Sequence, residues 1–241
     1  MEREEYNSDT NPYPSFGKKY NGEKSIISMT SWAARISTCS KTIFSLLKQC
    51  PGFHLVLVLA EEEFPKMIKE LPENLMLFVD NELIELMFVR KNYKSFKKVL
   101  FTMDKYRDVP VISADDDCIY TCNYAQMLYD EWKNNKKCII TNNGNYQNKT
   151  IKITRGPNTL FFYSALSNII KHLNEINFLK LNDDAFYSAC YLINQIKIID
   201  LKLKPFYIFH TSTAALSKKI KYNALSDVSF YFKQLKGFKC L

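Results

Sequence analysis

Two apolar periods alternate along the first half of the chain. Short continuous apolar runs read as strands: Ile26, Ile27 and Met29; Phe53 to Leu59 (FHLVLVL); residues 84–90 (IELMFVR); and Val111, Ile112, Ser113 and Ala114. A run as uniformly apolar as FHLVLVL is the pattern of a strand buried on both faces. Between the runs the spacing turns helical. Ile43, Phe44, Leu46 and Leu47 form one apolar face, with Ser37 or Thr38 as the cap and Pro51–Gly52 as the stop. Residues 61–71 read as a surface helix, residues 73–83 as an amphipathic one, and Val99, Leu100 and Met103 as the inner face of a third, capped by Ser95. Strand and helix in strict alternation predict an α/β layered sheet.

The second half is less regular. Residues 124–136 predict a helix with Met127, Leu128 and Trp132 inward, and residues 138–141 a strand. Asparagine-rich residues 142–150 read as a loop. Residues 151–153 and 159–163 read as strands around the turn Arg155, Gly156, Pro157 and Asn158. A helix ends near Leu173, another starts at Asp183 and Asp184, and short strands fall near 196–199 and 206–209. A last amphipathic helix covers residues 222–238. Residues 1–23 are a polar arm, and residues 24–241 form one domain.

Composition narrows the function classes. A hydrophobic fraction of 46% can supply a core. No apolar run reaches the roughly 18 residues that span a bilayer, and the acidic start has no apolar signal region, so the expected location is the cytoplasm. The seven cysteines contain no CxxC pair, which disfavours a zinc knuckle. Cys118 and Cys122 read as small apolar fillers, and His54 as a core or strand-end residue. The net charge of +8 favours polyanionic or phosphorylated partners. Lys218, Lys219, Lys221, Lys233, Lys236 and Lys239 give a basic, aromatic C-terminal end suited to peripheral contact with anionic membrane. Only six glycines occur, none spaced as GxGxxG or a P-loop, so bound phosphates need another partner, and a metal ion is the obvious one.

The densest chemistry is Asp115, Asp116 and Asp117, three carboxylates at the end of a strand. A solvated acidic turn is the plain reading. The buried strand before the triplet and Tyr120 after it point instead to a site in which a hard divalent cation offsets the charge. Thr30, Ser31 and Arg35 follow the first strand, at the edge where ligands of open α/β sheets collect. Lys94, Lys97 and Lys98 stand at a helix start, where cations oppose the helix dipole. Asp183 and Asp184 form a second acidic pair, of which one is expected to cap its helix and the other to act as a base.

The segments SIISMTSWAARI, SFKKVL, VISADDDCIY and LNDDAF, in that order, resemble bacterial GT-A fold glycosyltransferases of the family 2-like kind. The resemblance implies a Rossmann-like mixed, mostly parallel sheet flanked by helices, with a nucleotide-binding half to about residue 122 and an acceptor-binding half after it. It implies nucleotide contacts for Thr30, Ser31, Arg35, Ser95, Lys98, Asp115 and Asp116. It implies Mn2+ or Mg2+ on Asp117, Asp115 and the late His210, and a base at Asp184 with Asp183 beside it. The expected activity is metal-dependent, inverting transfer from a UDP-sugar to a hydroxyl of a glycan or glycolipid, as in lipooligosaccharide or capsule biosynthesis. The alternatives are a metal-dependent nucleotidyl- or phosphotransferase and, less in keeping with the acidic cluster, a nucleic-acid binder.

Overall fold

The structure is a computed structural model. It describes residues 13–49, 52–142, 144–147, 151–154, 158–173, 176, 182–203 and 207–209. The elements in order are β1 (Ser15–Gly17), β2 (Ser25–Thr30), α1 (Ser40–Leu47), β3 (Phe53–Ala60), α2 (Glu73–Asp80), β4 (Glu85–Val89), α3 (Lys97–Lys105), β5 (Val111–Asp115) and β6 (Cys118–Tyr120). They continue with α4 (Tyr124–Asn134), β7 (Ile139–Thr141), β8 (Gly144–Gln147), β9 (Ile151–Thr154), β10 (Thr159–Phe161), α5 (Ser167–Lys171), α6 (Asp183–Ile193), β11 (Ile198–Asp200) and β12 (Tyr207–Phe209).

Eight strands make one sheet in the order β1-β4-β3-β2-β5-β10-β7-β11. The four central strands β4, β3, β2 and β5 are parallel. β10 runs antiparallel between β5 and β7, and β11 is parallel to β7. The mixed, mostly parallel sheet agrees with the sequence reading. Its central strands read as apolar runs because both faces are covered. Ile26, Val56, Val58, Met87 and Val111 pack under α3 and α6, while Ile27, Met29, Leu57, Phe88 and Ile112 pack under α1, α2 and α4. Burial on both faces excludes water from the ladder, where each backbone group finds its partner in the next strand.

Several local expectations differ from what is observed. Only residues 67–70 of the expected 61–71 helix are helical, as one 3-10 turn, with Met67 at φ 51°. Residues 142–150 are not all loop, since β8 pairs antiparallel with β9 in a hairpin. β6 pairs with β12, a long-range contact that no local pattern announces. Ser95 is not a helix cap; it lies in a 3-10 turn, Lys94–Phe96, that runs into α3. Phe44, expected inward, is 56% exposed, with the Lys48 ammonium over its ring.

The arm is part of the fold from residue 13 on. β1 adds an antiparallel edge strand to β4, and Tyr13 hydrogen-bonds Asp104. Behind it, at the edge of the sheet where the parallel strands begin, the buried His54 hydrogen-bonds Glu85 at 2.7 Å, as the expected strand-end residue. Lys105 meets the other Glu85 oxygen at 2.6 Å. Burial alone would raise the Glu85 carboxyl, but the bonds from His54, Lys105 and Tyr106 reverse this and hold it down at about 2.

The arm turns away from the sheet at Gly17, where φ is +82° and an added Cβ would lie 2.5 Å from the Ile84 carbonyl oxygen. Gly17→Ala should therefore cost about 1–3 kcal/mol, read as a fall in urea midpoint. Gly22→Ala, at φ +78° with nothing within 4 Å, should cost less. Equal losses would show that the close approach at Gly17 carries no weight.

Candidate active site

The parallel strands end together at one edge of the sheet, and the turns that follow them build the site. β2 ends at Thr30, and Ser31, Trp32 and a turn over residues 33–39 come next. The Arg35 amide closes that turn onto the Trp32 carbonyl at 2.9 Å. β5 ends at Asp115, and Asp116 and Asp117 make the turn into β6. α1 pins this turn from below: the Thr42 hydroxyl lies 2.9 Å from the Asp116 carbonyl and 2.8 Å from that of Cys118. The Tyr120 hydroxyl receives the Asp115 amide at 2.7 Å.

The three carboxylates are neutralised by protein cations. Arg35 reaches Asp116 Oδ1 at 2.7 Å with one nitrogen and Asp117 Oδ2 at 2.5 Å with another. The Ser31 hydroxyl takes the second Asp116 oxygen at 2.5 Å. Lys98 hydrogen-bonds Asp115 Oδ1. The side chains differ in access: Asp116 is 2% exposed, Asp117 10% and Asp115 28%. Burial raises the Asp116 carboxyl to about 6, and Arg35 and Ser31 only partly reverse this. The buried thiol of Cys118 is raised, mainly by burial and then by Asp115 and Asp117, which suits an inert filler.

A cleft of about 160 Å3 opens beside this cluster. Thr30, Ser31, Arg35, Asp115, Asp116 and Lys98 line one end of it. Lys94, Ser95, Lys97, Glu63 and Asn92 line the other, beyond the ends of β3 and β4. All seven residues expected to contact nucleotide therefore share one cleft. Glu63 and Asn92 are additions that the sequence reading missed. Lys97 Nζ joins them, 3.1 Å from Glu63 Oε2 and 2.8 Å from Asn92 Oδ1. Asn92 Oδ1 also receives the Lys94 amide at 2.9 Å, which fixes Lys94 at φ 50°. A polar residue two or three positions past each parallel strand was the available signal.

The second acidic pair stands in the first turn of α6. Asn182 caps α6 by accepting the Ala185 amide at 2.9 Å, so neither Asp183 nor Asp184 is spent on the cap that was expected of one of them. α6 packs its second turn on the start of α3, with the Phe186 and Tyr187 rings each 5.5 Å from Phe96. That contact brings Asp183 and Asp184 into the field of Lys98. His210, the C-terminal helix, the Arg155–Pro157 turn and the basic C-terminal end lie outside the described residues.

Among the described residues no group of three or more His, Cys, Asp or Glu side chains is arranged to hold a metal ion. Asp117 is bound by Arg35 and is not among the residues that line the cleft. Asp115 is, and only its Oδ1 is held. Mg2+ and similar ions are often bound by one or two carboxylates together with substrate phosphates, and Asp115 fits that arrangement.

No family model matches the sequence, and no curated protein matches it. Solved structures do. A crystal structure of S. aureus TarS 1-349 in complex with UDP-GlcNAc has a TM-score of 0.55 at 12% identity, over 82% of this chain and 61% of that one. TarS 1-349 without that ligand has a TM-score of 0.52 at 15% identity, over 76% and 59%. The mannosyltransferase PcManGT from Pyrobaculum calidifontis, in complex with GDP-Man and Mn2+, has a TM-score of 0.52 at 9% identity, over 80% and 58%. The fold is a GT-A, Rossmann-like fold. The chain spans about three fifths of the length of these structures. No helix among the described residues is long and apolar enough to cross a membrane.

The charge balance predicts a pH effect. The folded Asp116 carboxyl, at about 6, lies above its value in an unfolded chain. Its penalty is therefore absent below about pH 4 and is felt in full as pH rises through 6. Relative to Asp116→Asn, the unsubstituted chain should gain about 2 kcal/mol between pH 7 and pH 4.5, measured by urea unfolding at both. A pH-independent difference would show that Asp116 is ionised throughout.

Proposed function

We propose that this chain transfers a sugar from a nucleoside diphosphate sugar to a hydroxyl group of a glycan or glycolipid, with inversion at the sugar carbon. The observation that carries this is a cleft at the ends of the parallel strands in which the accessible Asp115 stands beside Arg35, Lys97 and Lys98. The cleft runs from the end of β5 to the end of β4. These strands are three steps apart in the sheet, or about 14 Å at the usual strand spacing. That length suits a nucleoside diphosphate, with the diphosphate toward Asp115 and the nucleoside toward Glu63, Lys97 and Asn92. The likeness to folds solved with UDP-GlcNAc and GDP-Man supports the substrate class, and UDP is our choice of nucleotide.

In this reading the bond from sugar to diphosphate breaks, a bond from the acceptor oxygen to the same carbon forms, and the acceptor proton passes to a carboxylate. We assign that base to Asp183 in preference to Asp184. Asp183 is the first residue of α6. It also shares a helix face with the buried Tyr187, one turn on, which packs toward the sheet. The ammonium of Lys97, which burial makes easier to deprotonate and Glu63 opposes, lies in the wall as a hydrogen-bond donor. We place the divalent-ion contact on Asp115 in preference to Asp117. When bound there, Mn2+ or Mg2+ supplies positive charge against the departing diphosphate.

The test is release of nucleoside diphosphate from UDP-GlcNAc and GDP-mannose, with manganese and a panel of oligosaccharide acceptors. Asp115→Asn should lower it by about 100-fold or more. Asp183→Asn should lower transfer by about 100-fold while UDP still binds by calorimetry. Undiminished turnover in Asp115→Asn would sink the donor site, and release of pyrophosphate in place of nucleoside diphosphate would favour a nucleotidyltransferase.

A further inference from the structure

The end of the sheet opposite the cleft holds a second buried charge cluster. His54, on β3, is fully buried, and a carboxylate faces each of its ring nitrogens. Nε2 lies 2.7 Å from Glu85 Oε2. Nδ1 lies 3.6 Å from Glu23 Oε1 and has no hydrogen-bond partner. Tyr20 and Tyr106 pack their rings against the imidazole, at centroid distances of 5.7 Å and 6.0 Å. Glu23 belongs to the arm and organises it. Its carboxylate accepts the Lys18 ammonium at 2.9 Å and the Asn21 amide at 2.8 Å, and its carbonyl accepts the Tyr20 hydroxyl at 2.8 Å. Backbone bonds tie this loop to the sheet at its two ends, from the Lys18 amide to the Ile84 carbonyl and from the Lys24 amide to the Gly52 carbonyl, both 2.9 Å. Between those ties, Tyr20 and Glu23 face His54.

We propose that His54 is a proton-operated latch on the arm: with both ring nitrogens protonated it joins Glu85 of β4 to Glu23 and closes residues 18–23 over the start of β3, and with one proton lost it releases Glu23. The reason is the donor count. A neutral imidazole carries one N–H and an imidazolium two. If the Nε2 proton serves Glu85, a neutral ring turns the Nδ1 lone pair toward the Glu23 carboxylate, and two acceptors confront each other with little water between them. A proton on Nδ1 converts that repulsion into an ion pair. The groups around the ring keep their own charge over about pH 5 to 8, the range in which imidazoles titrate. Burial would raise the Glu23 carboxyl, but the Asn21 amide and Lys18 hold it at about 2. Glu85 is likewise held at about 2, with Lys105 and Tyr106 on its oxygens. Burial raises the Tyr20 and Tyr106 phenols, which stay neutral. The link to Glu23 therefore stabilises the fold at acid pH and is lost as pH rises through the imidazole titration. It does not depend on the reaction proposed for the cleft.

A double-mutant cycle run at two pH values tests the latch. The unsubstituted chain, Glu23→Gln, His54→Gln and the double variant are compared by urea unfolding at pH 5.5 and pH 8. At pH 5.5, Glu23→Gln should lower the folded-to-unfolded ratio at least about fivefold more with His54 present than with His54 replaced, the upper end for an exposed ion pair. At pH 8 the two losses should agree within about twofold. The titration of Asp116 is common to all four chains and cancels. A difference under fivefold at pH 5.5, or one that does not shrink by pH 8, overturns the proposal and gives His54 a purely structural role.

If His54→Gln does not fold, the loop itself is the readout. The Asn21 amide donates to Glu23, so in the unsubstituted chain its NMR resonance should move between pH 5.5 and pH 8 with the same midpoint as the His54 ring protons. Lys19 is exposed within the loop. Trypsin should cut after it at least about fivefold faster at pH 8 than at pH 5.5, relative to a peptide of the same sequence, because the open loop is the cleavable form. In Glu23→Gln both readouts should be flat over this range. An Asn21 midpoint that differs from that of His54, or a relative cleavage rate that does not change with pH in the unsubstituted chain, overturns the latch.

Discussion

Three adjacent carboxylates at the end of a buried strand can persist only if their charge is answered on the spot. In this protein the answer is supplied by two side chains from different parts of the chain. Arg35, held in the turn after β2, bridges Asp116 and Asp117. Lys98, from the first turn of α3, takes Asp115. The arrangement requires β2, β5 and α3 to be in register with one another. The parallel pairing of Thr30 with Asp115 and the packing of α3 on the sheet supply that register. The site and the core are thus one construction: if the sheet slips by a residue, the triplet loses its cations.

The same constraint distributes the chemistry. Asp116 is walled in by Arg35 and Ser31, so it serves as a structural anchor whose burial raises its carboxyl. Asp117 is tied to the same guanidinium. Asp115 alone combines access to the cleft with an oxygen left over. Three residues that are chemically identical in the sequence therefore have three different situations. The divalent contact follows access, which is why we place it on Asp115.

Much of this was legible in the residues. The apolar runs at 26–29, 53–59, 84–90 and 111–114 announce the central strands because burial on both faces leaves no room for polar alternation. Thr30, Ser31 and Arg35 could be placed near Asp115 because strand ends in α/β sheets converge, Lys98 because a cation at a helix start points to a ligand, and Ser95 through the family resemblance. Other features gave no local signal. Asn182 displaces Asp183 and Asp184 as the cap, although both residue types cap well. Glu63 and Asn92 look like ordinary surface polar residues until β3 and β4 bring them to Lys97. The pairing of β6 with β12 joins segments whose sequences contain no trace of each other.

The sequence by itself determined the layered α/β architecture, because hydrophobic period and strand–helix alternation are local properties. It also determined where the charge density would lie, because a buried strand followed by three aspartates can be recognised without coordinates. Only the tertiary structure decided which cation answers which carboxylate, which aspartate faces the cleft, and that α6 brings its acidic turn to Lys98. Those outcomes depend on distances of a few ångströms between residues far apart in the chain. Electrostatic energy changes steeply over such distances, and residue order along a chain does not specify them.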